Sequence, residues 1–385
     1  MTRNDIQIKE VPYNKGKYRF TSSKLFNAFL DFPYKLFKHD KMFVPPLLMD
    51  ERRTFNKRIN PALEWCEYKI FVAYKGNKIV GRIVGIINNK ANEIWQRKYI
   101  RFGWFDTIDD IQVAKGLFQA VEEWGKKRGM TKIVGPMGFT DMDKEGMMVE
   151  GFDTLCPMAA LWNPSYYPPL LEAIGFQKEV DWVQYEMPAS QQVPEKINRI
   201  NNMIKEKYNL RIVEGLSKKE LAKRYGRKIF HTLNEAFQGL YGYVPLTERL
   251  VDYYIKQYLG FLDKDLICLV VNQKDEIVAF GISMPTLSKA LQKAKGRMFP
   301  FGWIHLLKAL KNYDYIDLYL NGVAPDWQNK GVHSLYYARM NENYIRLGSK
   351  TAIANPQLES NQASQIWTKY DSKIAITRRA YIKEI

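Results

Sequence analysis

Apolar and polar positions alternate along this chain in two repeating rhythms. Tyr68 to Tyr74 and Ile79 to Ile87 are strand-like apolar runs. The polar turn Lys75-Gly76-Asn77-Lys78 separates them, which predicts a β-hairpin. Phe102-Gly103-Trp104-Phe105 predicts a further strand. From Asp110 the spacing turns helical, with Val113, Leu117, Phe118, Val121 and Trp124 on one face and Gly129 at the end. Thr131 to Gly135 reads as a short buried strand, Pro136 to Pro164 as a long irregular stretch, Tyr166 to Ala173 as a helix and Trp182 to Met187 as a strand. Upstream, Ile6 to Val11 predicts a strand and Ser22 to Leu30 a helix, with Pro33 able to start another. The proline-broken segment from Phe32 to Leu47 predicts a loop with one helical turn.

The second part of the chain repeats this order. Leu210 to Val213 predicts a strand, and Lys218 to Gln238 helices. Leu266 to Val271 and Ile277 to Met284 form a second hairpin, followed by a basic, partly helical insertion. Tyr315 to Leu320 carries Ile316, Leu318 and Leu320 at period two, as on one face of a strand. A long helix to Gly348, a strand at Thr351 to Ala354, a helix from Asn361 and a strand at Ile374 to Ile382 complete it. Pro188 to Pro194 is the linker candidate. The chain therefore reads as a tandem duplication of one α+β unit, residues 1–190 and 191–385.

Composition narrows the partners. The chain has 385 residues, 46% of them hydrophobic, enough for two packed domains. Lys and Arg number 58 against 41 acidic residues, a net charge of +17 that suits an anionic partner such as CoA, nucleic acid or a membrane surface. Three dispersed cysteines give no disulfide framework, which suits a reducing cytoplasm. No apolar run is long enough to span a bilayer and the start lacks a signal core. His39, His231, His305 and His333 lack ligand partners at helical spacing, so no metal is expected.

The turn between the Tyr315 strand and the long helix has the makings of an anion site. Glycine lets the backbone come close, and a helix start presents N–H groups and a favourable dipole. Val323-x-Pro325-x-Trp327-Gln328-x-Lys330-Gly331-Val332 resembles the acyl-CoA pyrophosphate loop of the GNAT acyltransferase superfamily. That pattern is Gln or Arg, two residues, Gly, one residue, then Gly or Ala; Gln328 and Gly331 match, and His333 stands in the last place. In the first half, Asn163-Pro164-x-Tyr166-Tyr167 leading to Ile174-Gly175-Phe176 is similar to the superfamily's Tyr-x-x-x-Gly-Phe helix end. The whole chain resembles a bacterial tandem-GNAT family of undefined substrate, on Phe43-Val44-Pro45-Pro46-Leu47, the Gly135-Pro136 loop and Pro300-Phe301-Gly302.

That resemblance implies two α/β/α units, each a mixed, mostly antiparallel sheet flanked by helices, with acyl-CoA bound by the second. Gln328, Asn329, Lys330, Gly331, Val332 and His333 would meet the pyrophosphate. Backbone at Asn321, Gly322 and Val323 would hold pantetheine and the thioester carbonyl, and Asn361 matches the family's Asn. The implied activity is acyl transfer, by expectation acetyl from acetyl-CoA, to a small-molecule or peptide amine. A tyrosine acid is expected near Thr368, which makes Tyr370 the candidate; Asp317, Asp326 and Glu359 are candidates for the base. In the first half, Asp106, Asp109 and Asp110 occupy the equivalent turn and would repel a pyrophosphate. Helix capping is the structural reading of Asp109 and Asp110.

Other readings stay open. A Fem-type transferase taking aminoacyl groups from tRNA would suit the positive charge, and a non-catalytic acyl-CoA-binding module would suit His333 and the unmarked acid–base pair. The Pro136 loop, with Met137, Phe139, Met142, Met147, Met148, Phe152 and Met158, would wall a ligand pocket or fold on its own core. Its Asp141, Asp143, Glu145, Glu150 and Asp153 would attract an amine or face water. The insertion from Ser288 to Phe301 would dock on an anionic membrane or be a solvated helix.

Overall fold

A computed structural model describes residues 6–14, 19–20, 23–189, 195–258, 261–361 and 371–385. The first half holds β1 Ile6–Glu10, β2 Tyr13–Asn14, β3 Arg19–Phe20, α1 Ser23–Leu36, α2 Leu48–Thr54, β4 Cys66–Lys75, β5 Lys78–Asn88 and α3 Asn89–Ile94. It continues with β6 Tyr99–Thr107, α4 Ile111–Lys127, β7 Lys132–Gly135, β8 Met147–Glu150, α5 Tyr167–Ala173 and β9 Gln177–Pro188. The second half holds α6 Glu195–Tyr208, β10 Arg211–Ile212, α7 Lys218–Phe237, α8 Glu248–Tyr258, β11 Ile267–Val271, β12 Ile277–Pro285, α9 Ser288–Ala294 and α10 Gly302–Ala309. It ends with β13 Tyr315–Val323, α11 His333–Leu347, β14 Thr351–Ala354, β15 Gln357–Leu358 and β16 Lys373–Glu384.

The two units share one sheet. Its order is β1-β4-β5-β6-β7-β16-β9-β14-β13-β12-β11-β10, with β8 paired to β16 and β15 to β9. The halves exchange their final strands. β16, from the second half, lies between β7 and β9 of the first, and β9 pairs with β14 of the second. The division at residues 190 and 191 therefore cuts the chain but not the sheet. Most pairs are antiparallel; β6–β7 and β13–β14 are parallel.

Local sequence explains the main helices. Asp110 caps α4 by accepting from the Gln112 N–H at 2.9 Å, and Val113, Leu117, Phe118 and Val121 bury against the sheet. Asp109 is exposed, so the expected capping falls to Asp110 alone. A reciprocal Ser217–Glu220 box starts α7. Asp106 is buried and paired with Arg82 at 2.7 Å. The first half's turn is thus closed by an internal ion pair.

Several expectations are corrected. α1 runs through Pro33, with the Phe37 N–H bonded to its carbonyl, so no second helix starts there. The strand expected at Leu210 to Val213 is reduced to β10. α8 was not foreseen, although Leu250, Val251 and Tyr254 mark its buried face. Most of the linker and the helix expected after Asn361 lie outside the described residues.

Candidate functional site at the bulged strand

β13 is the strand on which the site is built. Its parallel pairing with β14 ends at Leu318 opposite Ala354. Asn355 extends the contact, its N–H reaching the Leu318 carbonyl at 3.1 Å and its side-chain amide the Tyr319 carbonyl. Beyond that point β13 has no paired strand on its β14 side among the described residues. The result is an open strand edge at Asn321–Val323, able to pair with an extended amide-bearing ligand as if with another strand. The Asn355 Oδ1 atom is buried beside it without a hydrogen-bond partner among the described residues.

On its other side β13 carries a bulge. Ile282 pairs with Leu320 and Ser283 with Leu318, leaving Tyr319 as the extra residue. This breaks the expected period-two face. Ile316 and Leu318 pack beneath α11, whereas Tyr319 and Leu320 both line an apolar cavity on the opposite face. The cavity, open at its mouth, lies among α7, α8, β12, β13 and α10. Met158 and Leu47 of the first half close it, so the Pro136 loop contributes one wall residue. Met137, Phe139, Met147 and Met148 of that loop are buried in the core instead.

Asp317 stands opposite Met284 across the β12–β13 ladder, and Met284 lines the cavity. Facing residues of an antiparallel pair point to the same side. The Asp317 carboxyl therefore belongs to the cavity face. It is 2% exposed and its Oδ1 has no hydrogen-bond partner among the described residues. Burial pushes its pKa up to about 7, and only the Thr286 hydroxyl opposes the shift. Two residues on, the Tyr319 phenol is pushed up to about 12 by burial, with a hydrogen bond to Tyr258 opposing. Asp50 and Gln257 bring polar groups to the same cavity; burial raises the Asp50 pKa, and Gln257 Oε1 is unpartnered.

The candidate anion turn follows β13. The Ala324 N–H bonds the Val278 carbonyl at 2.9 Å, Pro325–Trp327 make a 3₁₀ turn, and Gln328 folds its amide back to the Val323 carbonyl at 3.3 Å. Asn329 and Gly331 adopt left-handed φ of 61° and 77°. α11 then starts without a side-chain cap, so its first N–H groups have no side-chain oxygen on them. Gln328, Asn329 and Lys330 are exposed, and Lys330 Nζ lies 5.1 Å over the Trp327 ring. The Val332 side chain is buried in the core, so only its backbone is a candidate for ligand contact. His333 lies near Tyr337, ring to ring at 6.4 Å. Gly322 has a packing reason of its own: an added Cβ would meet Phe280 Cε1 at 2.8 Å.

The remaining candidates lie elsewhere. Glu359 is 43% exposed and paired with Lys178 at 2.8 Å, on β15's flank of β9. Asn361 is the last described residue before 362–370, and Tyr370 lies outside the described residues. Asp326 is exposed in the 3₁₀ turn. The loop acids Asp141 and Asp143 are half-buried and spent on backbone N–H groups of Val244, Phe139 and Thr140. Tyr319, Tyr258 and Asp50 were missed by sequence reasoning. Tyr319 had a signal only in hindsight, since a bulge is invisible to periodicity.

No family model matches the sequence. Protein YghO of Escherichia coli (strain K12) is 29% identical over 311 residues, 80% of this chain and 77% of that protein. A bacterial ceramide synthase of Caulobacter vibrioides is 27% identical over 290 residues, 74% of this chain and 73% of that one. Among solved structures, a tandem GNAT protein from the clavulanic acid biosynthesis pathway covers 99% of this chain and 98% of its own, at 10% identity and a TM-score of 0.55. A GCN5-related glucosamine N-acetyltransferase region of a fungal multi-domain enzyme covers 99% of this chain and 38% of its own, at 12% identity and the same TM-score. The chain has the tandem GNAT fold.

Proposed function

We propose that this protein is an acyl-CoA-dependent N-acyltransferase that makes the amide of a long-chain amine, as the relative named a ceramide synthase suggests. What supports this reading is an apolar cavity on the bulged strand whose lining residue Met284 pairs with Asp317, a buried carboxyl on the same face just outside the lining. The apolar lining, with Leu221, Ile229, Phe230 and Leu306 among it, suits a hydrocarbon chain in chemical character. In this reading the expected acetyl donor gives way to a longer acyl-CoA.

The chemistry follows from the residues. CoA pyrophosphate would sit at Gln328–Val332, where uncapped helix N–H groups and Lys330 favour anions. Pantetheine amides would pair with the open edge at Asn321–Val323, with Asn355 Oδ1 accepting one N–H. The amine nitrogen attacks the thioester carbonyl, forming C–N as the C–S bond breaks. Asp317, as carboxylate, takes the amine proton directly or through water. The departing CoA thiolate takes a proton from Tyr319 or solvent, and Tyr319 is returned to its neutral form from solvent.

The test is CoA-thiol release with long-chain acyl-CoA against amines of increasing chain length. Turnover that rises with amine chain length supports the reading. Turnover confined to short polar amines, or no binding of any acyl-CoA or free CoA by calorimetry, refutes it.

A further inference from the structure

Between β12 and β13 the chain detours through α9 and α10. The inner side of this corner is core: Leu287, Leu291 and Leu306 are buried, and Leu287 and Leu306 line the cavity. The outer side is bare. Phe299, Phe301, Trp303 and Leu307 are 76%, 68%, 42% and 52% exposed. Trp303 and Leu307 lie one helical turn apart on α10, with Phe299 and Phe301 in the turn before it. A soluble surface rarely gathers four large apolar side chains without a use for them.

Charge decides what that use is. Residues 277–313 contain no Asp or Glu, while Lys289, Lys293, Lys295, Arg297, Lys308 and Lys311 are all exposed. Among the described residues, Arg297 alone of these six forms an ion pair, with Asp31 at 3.4 Å. A second copy docked through the same face would set cation against cation. Single-stranded nucleic acid would suit the rings, but Leu307 offers it no stacking face. Aromatic and aliphatic side chains ringed by uncompensated lysines match the boundary between anionic headgroups and acyl chains.

We propose that the α9–α10 corner docks the protein on an anionic phospholipid bilayer, with Phe299, Phe301, Trp303 and Leu307 in the acyl boundary and the lysines on lipid phosphates. This stands apart from the reaction: it concerns where the protein sits, whatever amine it acylates. It also places the cavity wall formed by Leu306 directly behind the membrane-facing helix.

The experiment is co-sedimentation of the full chain with vesicles of phosphatidylcholine alone and of phosphatidylcholine with phosphatidylglycerol, across salt. The wild type is expected on the anionic vesicles at low salt, with release as salt rises. Phe299→Ser/Phe301→Ser/Trp303→Ser is expected to weaken binding about tenfold or more. These side chains are exposed, so the variant should keep the wild-type melting temperature. As a second probe, Phe301→Cys carries an environment-sensitive dye; the three native cysteines are buried. A blue shift on anionic vesicles supports docking by this face. No preference for anionic vesicles, undiminished binding by the triple variant, or sedimentation without a dye shift overturns the proposal. So does lipid-free self-association that the triple substitution abolishes.

Discussion

Asn355 donates its side-chain amide to the carbonyl of Tyr319, the residue that bulges out of the β12–β13 ladder. One side chain thus holds the strand edge at the point where β13 and β14 part. Its other atom, Oδ1, is buried with nothing among the described residues to accept from, a costly arrangement that a ligand donor would relieve. Asn355→Ala is therefore expected to weaken acyl-CoA binding about tenfold by calorimetry, one good hydrogen bond's worth. Stability should fall by only about 1 kcal/mol, because removing both amide atoms also removes the orphan.

Asp317 makes a pH prediction with two opposite signs. As the proposed base it would act ionised, so kcat/KM should rise with pH and level off above about 7. For folding the sign reverses. Its folded pKa lies above the ordinary 3.8, so the folded state holds the proton more tightly, and ionisation between those values costs stability. Asp317→Asn should abolish turnover yet melt higher than wild type above pH 7. The advantage, at most about 4 kcal/mol, should vanish near pH 4. Equal melting at both pH values would contradict the buried, poorly compensated carboxyl.

Gly331 is constrained by backbone more than by crowding. At φ 77° an alanine costs about 1 kcal/mol, and its Cβ would stand 3.0 Å from the flexible end of Ile204. Gly331→Ala should bind CoA several-fold more weakly. Gly331→Glu adds a negative charge where pyrophosphate is expected and should show no heat of CoA binding at all.

Gly226 lines the cavity from the middle of α7, and an added Cβ would meet only Ile255, at 3.4 Å. Gly226→Leu should fill the cavity without unfolding the helix, since Leu is the better helix former by about 1 kcal/mol. The expected readout is a shift of substrate preference toward shorter chains with activity on short amines retained. An unchanged chain-length profile would mean that the hydrocarbon lies elsewhere.

Arg378 is wholly buried on β16 and has no carboxylate partner among the described residues. Its Nε bonds Gln184 Oε1 at 2.6 Å, its guanidinium also reaches the Leu161 carbonyl and Cys156 Sγ, and Gln184 in turn bonds the Ala354 carbonyl at 2.9 Å. Arg378→Met takes the guanidinium donor from buried Gln184 Oε1 and should cost about 3 kcal/mol in urea denaturation. Because the chain of bonds ends one residue from Asn355, a smaller loss of acyl-CoA affinity should accompany it.

Much of this could be read from residue order. The hairpins at β4–β5 and β11–β12, the amphipathic α4 and the glycine turn at Gly331 follow from local spacing and turn chemistry. What the sequence concealed is non-local. The exchange of β9 and β16 depends on pairing between distant strands, which periodicity does not encode. The bulge at Tyr319 moved Leu320 from the face shared by Ile316 and Leu318, because one extra residue reverses every side chain after it. Asp317 was legible as a residue on the strand before the glycine turn, but its burial and its neighbour Met284 were not. Glu359 is equally suitable by residue type, but it is engaged in an ion pair with Lys178.

The exchanged strands also shape how the protein comes into being. As the ribosome delivers the first half, β7 and β9 emerge with the place between them vacant, and their bare edges invite foreign strands. Only when residues 373–384 appear can that seam be sewn. The same seam limits how the gene can be divided. Two fragments made separately would each carry a strand owed to the other, and would be whole only when produced together.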